Sequence, residues 1–217
     1  MLIVIDGLDG SGKSTQFEII KNKLSEKRSV KSVSFPDYSE PSSALVKMYL
    51  AGEISHNAAD VNAYAASCFY AADRYVSYKK FWESEYNSGN VILASRYTTS
   101  NAIHQMSKLP ESEWDSFLSW LEDFEYVKLG LPKPDCVIFL DMPVEVSQKL
   151  LNSRYRGDEN KKDIHESNVE YLEECRRSAL YAAERLGWSV IKCSVNGSAL
   201  PIYEITEELL GVIEKVL

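Results

Sequence analysis

Gly12-Lys13-Ser14-Thr15 stands five residues after another glycine, Gly7, in the run Gly7-Leu8-Asp9-Gly10-Ser11-Gly12-Lys13-Ser14-Thr15. That run satisfies the spacing G-x-x-x-x-G-K-S/T, whose chemistry is the cradling of a polyphosphate. Glycines let successive backbone N–H groups close around phosphate oxygens, and a helix N-terminus adds the positive end of its dipole. Lys13 then brings a point charge to the outer phosphates, and the Ser14 hydroxyl is the expected protein ligand to Mg²⁺. Asp9, the acid inside the loop, has a plainer reading as the anchor of an Asx turn.

Such a loop must sit between a strand and a helix, and the flanking sequence has that form. Leu2 to Ile5 is a short apolar run before it, and Phe17, Ile20 and Leu24 after it mark one face of a helix ending near Lys27. Four more short runs, Val30 to Phe35, Val91 to Ala94, Cys136 to Leu140 and Val190 to Cys193, complete five expected buried strands. Helical stretches fall between them, over Asn62 to Tyr86 and over Glu111 to Val127, the second closed by Gly130-Leu131-Pro132-Lys133-Pro134. A last helix starts near Pro201 and carries Ile202, Ile205, Leu209, Ile213 and Val216 on one face. The alternation predicts an α/β chain, with a five-stranded parallel sheet flanked by helices on both faces.

Arg96 directly follows the third run, and in open α/β sheets ligands bind at the carboxyl ends of strands. Arg74 and Arg96 could each be a surface charge, but a planar guanidinium suits bidentate anion contacts, and the position of Arg96 favours that role. Asn101 offers one donor and one acceptor. Tyr70, taken alone, is a helix aromatic of the kind that usually packs in a core. Arg154, Arg156, Lys161 and Lys162 lie in a polar segment between helices and would supply mobile positive charge.

The 217 residues carry 24 Lys and Arg against 32 Asp and Glu, a net charge of −8, which argues against nucleic acid as the main partner. Hydrophobic residues at 45% and charged residues at 26% are ordinary globular values, and no repeat or linker divides the chain. The N-terminal apolar run is too short for a leader or a membrane span. Cys68, Cys136, Cys175 and Cys193 show no zinc-ligand spacing and are expected as buried free thiols, which suits a reducing cytoplasm.

The phosphate loop alone leaves a GTPase, a motor and a DNA-dependent ATPase open, although no guanine-reading Asn/Thr-Lys-x-Asp motif is present. The larger pattern is more specific. The loop with Asp9, then Phe35-Pro36-Asp37-Tyr38, Phe69-Tyr70-Ala71-Ala72-Asp73-Arg74, Ser95-Arg96-Tyr97 and Ser100-Asn101 are similar in order and spacing to thymidylate kinase. The similarity continues through Pro134-Asp135-Cys136-Val137-Ile138-Phe139-Leu140-Asp141 and Arg154-Tyr155-Arg156-Gly157. It implies a P-loop NTPase fold, one domain over residues 1–217 with a lid near 154–166, and Mg²⁺-dependent transfer of the γ-phosphate of ATP to dTMP, giving dTDP in dTTP biosynthesis. It also implies a homodimer formed by helix packing, with neither nucleic acid nor membrane as partner.

The resemblance further assigns roles. Asp9 would meet the acceptor sugar's 3′-hydroxyl, Tyr70 would stack on thymine, and Arg74 and Arg96 would grip base and phosphate. Asn101 would read the base edge beside Ser100, and His104 stands where many relatives carry a tyrosine that excludes ribonucleotides. Phe35 and Tyr38 would wall the acceptor pocket. With no arginine between Gly7 and Lys13, the chain resembles the branch that places catalytic charge in the lid. Arg156 would then act on the transferred group with Lys13 and Arg96, while Arg154 lies against adenine. Two departures stand out: Asp37 occupies a stretch that often holds an arginine, and Ser95 replaces the usual Asp that orients Mg²⁺-bound water, with Asp6 and Asp141 as candidate substitutes. A kinase for another pyrimidine nucleotide or nucleoside, or a P-loop ATPase of low kinase activity, remains the alternative.

Overall fold

The computed structural model describes residues 1–55, 60–154 and 169–217, with Ser153 and Arg154 described by their helical backbone alone. Arg156, Lys161, Lys162 and the lid stretch 155–166 lie outside the described residues, as does the side chain of Arg154.

Five parallel strands form the sheet: β1 (Leu2–Gly7), β2 (Val30–Ser34), β3 (Val91–Ser95), β4 (Cys136–Asp141) and β5 (Ser189–Lys192), in the order β2-β3-β1-β4-β5. β1 lies in the centre and every one of its residues is buried. Strand alternation divides it between two cores. Ile3 and Ile5 face the side of α1 (Lys13–Ser25) and α9 (Ile202–Ile213), packing with Phe17, Ile20, Leu24, Leu209 and Ile213. Leu2 and Val4 face the other side, with Ile92, Ala94, Tyr97 and Trp82. Full burial of each large apolar side chain contributes about 1.5–3 kcal/mol, so the stripe Phe17, Ile20, Leu24 suffices to fix which face of α1 meets the sheet.

Not every strand is buried as the apolar runs suggested. β2 and β5 are the sheet's edges, and only Ile191 among their nine residues is fully covered. Val190 is likewise exposed, because an edge strand has a neighbour on one side only.

On the second face, α2 (Ala44–Leu50) leads to α3 (Ala63–Ser77), which runs on through a π-helical turn over Tyr78–Trp82 into α4 (Glu83–Asn87). Asn62 caps α3, its side-chain oxygen accepting from the Ala65 N–H at 2.8 Å. After β3 come α5 (Thr99–His104) and α6 (Trp114–Glu122), the latter continued by a second π-helical turn over Asp123–Lys128. α7 (Val144–Arg154) and α8 (Val169–Leu186) precede β5.

Three local expectations are corrected. Cys68 is exposed, because it lies one position past Ser67 on α3 and turns off the buried face, while the other three thiols are buried. Ile202 is exposed although it continues the α9 stripe: its carbonyl accepts from Gln16 Nε2 at 2.8 Å, so a polar tie to α1 anchors that first turn. A small antiparallel hairpin, β6 (Ser194–Val195) with β7 (Ser198–Ala199), turns through Asn196 and Gly197 at φ 49° and 74°. The Asn-Gly pair is the sequence signal for that turn.

Candidate active site

The loop between β1 and α1 closes tightly because Gly7 has no side chain. A Cβ there would come 2.7 Å from Ser11 Oγ and 3.1 Å from the Leu140 carbonyl. Gly12, at φ 82°, is the N-cap of α1, with no side-chain cap and no acid in the first turn. The leading N–H groups of the helix are thus left to an anion in front of it. Leu8 turns its side chain into a core cluster with Phe139 and Val144, so only its backbone faces the loop. Gly10 and Ser11 complete the loop, and Ser14 and Thr15 are exposed at the helix start.

Beside the loop lies a cavity of about 370 Å³. The register of three adjacent strands sets its floor. Ser95 at the end of β3 pairs with Ile5 on one side and Ser34 on the other, so Asp6, Arg96 and Phe35 emerge at one level. The cavity collects Asp9, Lys13, Ser14, Phe35, Tyr38, Tyr70, Arg74, Arg96, Ser100, Asn101 and His104. Phe69 packs outside it against Tyr49, their ring centroids 6.2 Å apart.

Arg96 holds the centre. Its Nη2 donates to Asp9 Oδ1 at 2.7 Å, its Nη1 lies 3.0 Å from His104 Nε2, and Asp6 Oδ1 is 3.7 Å away. Burial works against its charge, but Asp9 and Asp6 more than offset this and raise its pKa. Its backbone sits at φ 62°, a left-handed conformation that costs a residue with a Cβ roughly 1–2 kcal/mol. Because Arg96 only donates, His104 Nε2 accepts and the proton of the neutral ring sits on Nδ1. Nδ1 is 3.4 Å from the Tyr171 hydroxyl and 3.5 Å from Cys175 Sγ.

Arg74 is fully buried rather than a surface charge. Its Nε donates to Glu125 Oε2 at 2.7 Å, Nη2 to Glu125 Oε1 at 2.5 Å, and Nη1 to the Tyr97 carbonyl at 3.3 Å. Burial opposes its charge, and the Glu125 carboxylate outweighs burial and raises its pKa. Removing one partner of such a pair leaves the other charge buried, at a cost of about 3–5 kcal/mol.

Both aspartates offered as replacements for the acid at Ser95 already carry hydrogen bonds within the protein. Asp6 accepts from the Gly7 N–H at 2.8 Å, Thr99 Oγ1 at 2.6 Å and Ser100 Oγ at 2.8 Å. Asp141 is paired with Arg176, Nε to Oδ1 at 2.7 Å and Nη2 to Oδ2 at 3.0 Å. Asp37 anchors a turn, accepting from the Ser39 N–H and hydroxyl, and does not reach the cavity.

Residues absent from the sequence reading also line the cavity: Tyr49, Gln105 and Tyr171. Gln105 is buried, and its Oε1 has no hydrogen-bond partner among the described residues. Tyr171, on α8, stacks near His104 at a centroid distance of 6.4 Å. A lone Gln or Tyr on a helix carries no spacing signal, so only the tertiary fold reveals these three.

Comparison with known proteins agrees with this geometry. A family model described as "Thymidylate kinase" matches residues 5–199. A thymidylate kinase of Mycobacterium tuberculosis is 30% identical over 208 residues, covering 92% of this chain and 95% of the relative. One of Caenorhabditis elegans is 33% identical over 158 residues, covering 68% and 65%. Among solved structures, a thymidylate kinase from Candida albicans superposes with a TM-score of 0.71 at 23% identity, over 99% of this chain and 91% of that one, a likeness of fold.

Proposed function

The chain belongs to the thymidylate kinase family, and on that premise we propose how its residues divide the work of moving the γ-phosphoryl group of ATP onto dTMP, giving dTDP and ADP. The reading rests on one observation above others: Arg96, at the end of β3, is bonded to Asp9 of the phosphate loop inside a cavity that Lys13 also lines. A second phosphate gripped by Arg96 would therefore lie beside the polyphosphate held by the loop, as in-line transfer requires. The family match over residues 5–199 leaves a different pyrimidine kinase or a plain ATPase unfavoured.

In this reading the amides of residues 7–15 and Lys13 hold the triphosphate, with Arg96 taking the acceptor phosphate and Asp9 the sugar. Tyr70, beside Arg74 and Asn101 in the cavity wall, presents a face for the pyrimidine. Phe35 and Tyr38 close the mouth. Arg154 and Arg156 keep their proposed lid roles in a single domain over residues 1–217.

The residues fit Mg²⁺ held chiefly through phosphate oxygens and water. The exposed Ser14 hydroxyl lines the cavity, Ser95 adds a second hard oxygen, and Mg²⁺ in such sites takes few protein ligands. Ser14 would hold the ion, which would shield the phosphate charges.

A homodimer is supported by Leu45, Met48, Tyr75 and Phe81, apolar side chains left exposed on α2, α3 and the following turn. Four free cysteines support a reducing cytoplasm. Among the described residues no helix is long and apolar enough to cross a membrane.

Two measurements test the reading. With ATP and coupled detection of ADP, kcat/KM for dTMP is expected to exceed that for dUMP, dCMP and UMP. ADP formation with dTMP no greater than without an acceptor would overturn it.

The second is a pH profile. Burial lowers the Lys13 pKa from 10.5 to about 8; Arg96 adds to the drop, and Asp9 and Asp6 partly offset it. Phosphates bind the protonated amine. kcat/KM for ATP, which reports the free enzyme, should therefore hold steady below about pH 8 and fall about tenfold per unit above it. A profile flat to about pH 9.5, as a lysine in water would give, would count against the assignment.

A further inference from the structure

Glu125 is not part of the cavity wall, yet it is fully buried and three side-chain hydrogen bonds converge on it. Two come from Arg74; the third is Asn101 Nδ2 donating to Oε1 at 3.0 Å. The same Nδ2 donates to the Ser67 carbonyl at 3.3 Å. A carboxylate and a peptide carbonyl accept only, so the amide nitrogen, and not its oxygen, must face both of them, and both of its hydrogens are taken. What Asn101 has left for the cavity it lines is its carbonyl oxygen, an acceptor. Arg74 is fixed likewise: three of its N–H groups go to Glu125 and Tyr97, leaving a hydrogen on each terminal nitrogen as a donor.

The geometry points to Glu125 as a positioning residue that sets the hydrogen-bond polarity of the base-reading edge, and through it the choice among pyrimidines. This rests on the functional reading above and deepens it. An edge of one donor beside one acceptor matches a 2,4-dioxopyrimidine, whose 4-carbonyl accepts and whose N3–H donates. It opposes a 4-aminopyrimidine at both places, where the amino group donates and N3 accepts, and a site built this way leaves its buried groups unpaired with the wrong base. Without the Glu125 carboxylate only the longer bond to the Ser67 carbonyl, 3.3 Å, holds the Asn101 amide against turning over to offer its NH₂ group. Neither Arg74 nor Asn101 fixes this polarity alone, because an asparagine side chain reads either way and an arginine can swing.

The test is selectivity, which a merely structural role would not move. Glu125→Gln is nearly isosteric, but its carboxamide cannot accept at both positions: with its oxygen in the Oε2 place the Arg74 Nη2 and Asn101 bonds both fail, and in the Oε1 place the Arg74 Nε bond fails, so the arginine or the asparagine loses its anchor either way. The expected result is a fall of about tenfold or more in the ratio of kcat/KM for dTMP to that for dCMP, with the KM for ATP within about twofold of wild type. Glu125→Asp, which keeps both accepting oxygens, should hold the ratio within about threefold of wild type.

An equal loss on both substrates, or an unchanged ratio, overturns the assignment. If Glu125→Gln is not recovered folded, wild-type enzyme with dTMP methylated at N3 decides instead: a loss of about thirtyfold in kcat/KM supports the imposed polarity, and turnover equal to dTMP overturns it. Absence of wild-type turnover on every pyrimidine monophosphate would sink the functional reading itself, whereas turnover with an unmoved ratio sinks this inference alone.

Discussion

Lys13→Met is expected to lower kcat/KM for ATP by about 10²–10³-fold, roughly 3–4 kcal/mol of transition-state stabilisation, while leaving the fold as stable as before or more so. The two halves of that expectation have one cause. Lys13 is buried at the first turn of α1, and burial lowers its pKa to about 8. Near pH 7 the amine is charged in both the folded and the unfolded chain. A folded pKa below the unfolded one means the folded state bears a penalty for that charge, on the order of 3 kcal/mol. Methionine keeps most of the volume and removes the charge, so a thermal melt should show an unchanged or higher Tm. A residue kept for packing would behave oppositely, with a lower Tm and activity lost only in proportion. Finding kcat/KM within about threefold of wild type would remove Lys13 from the phosphate site.

The second large effect is expected at Arg96. Arg96→Ala should lower kcat/KM for dTMP by about 10³-fold, because it deletes the cation proposed to meet the acceptor phosphate and leaves Asp9 and Asp6 to repel it. Arg96→Lys should recover little, since one ammonium cannot span Asp9 and His104 as the planar guanidinium does. The backbone supplies an internal control. At φ 62° glycine is unstrained, so Arg96→Gly should be more stable than Arg96→Ala by about 1 kcal/mol at equal activity. Denaturant melts of the two variants check the first point and steady-state kinetics with varied dTMP the second. Activity in either variant within tenfold of wild type would shift the acceptor contact elsewhere.

The parts of this molecule that local sequence determines were legible before the structure. Short apolar runs mark the three inner strands, β1, β3 and β4, because a strand buried on both faces has nowhere to place a polar residue. The glycine spacing gave the phosphate loop, because backbone geometry leaves few residue types free to vary there.

What depended on distant pairing was not legible. Glu125 lies in Glu122-Asp123-Phe124-Glu125, which reads as a solvated acidic run, and its partners are 51 and 24 residues away. Asp6 and Asp141 read from sequence either as substitutes for a metal-orienting acid or as simple strand ends. Only tertiary contacts show what those carboxylates bind, Gly7, Thr99 and Ser100 in one case and Arg176 in the other. The edge character of β2 was half visible in Lys31, Ser32 and Ser34: its two valines, three positions apart, face opposite cores, and the rest of the strand is polar.

Because β1 and β3 are hydrogen-bonded neighbours with Ile5 opposite Ser95, the phosphate loop and Arg96, proposed to bind the two nucleotides, leave the sheet one strand spacing apart, about 4.8 Å. The reach between the two ligands is thus a lattice constant of the scaffold, like the pitch of a ruler, and no surface loop has to maintain it. Acceptor preference can then drift by exchange of wall residues such as Tyr49, Gln105 or Tyr171 while the reacting distance stays put, which lets one framework be retuned for new bases without rebuilding its chemistry.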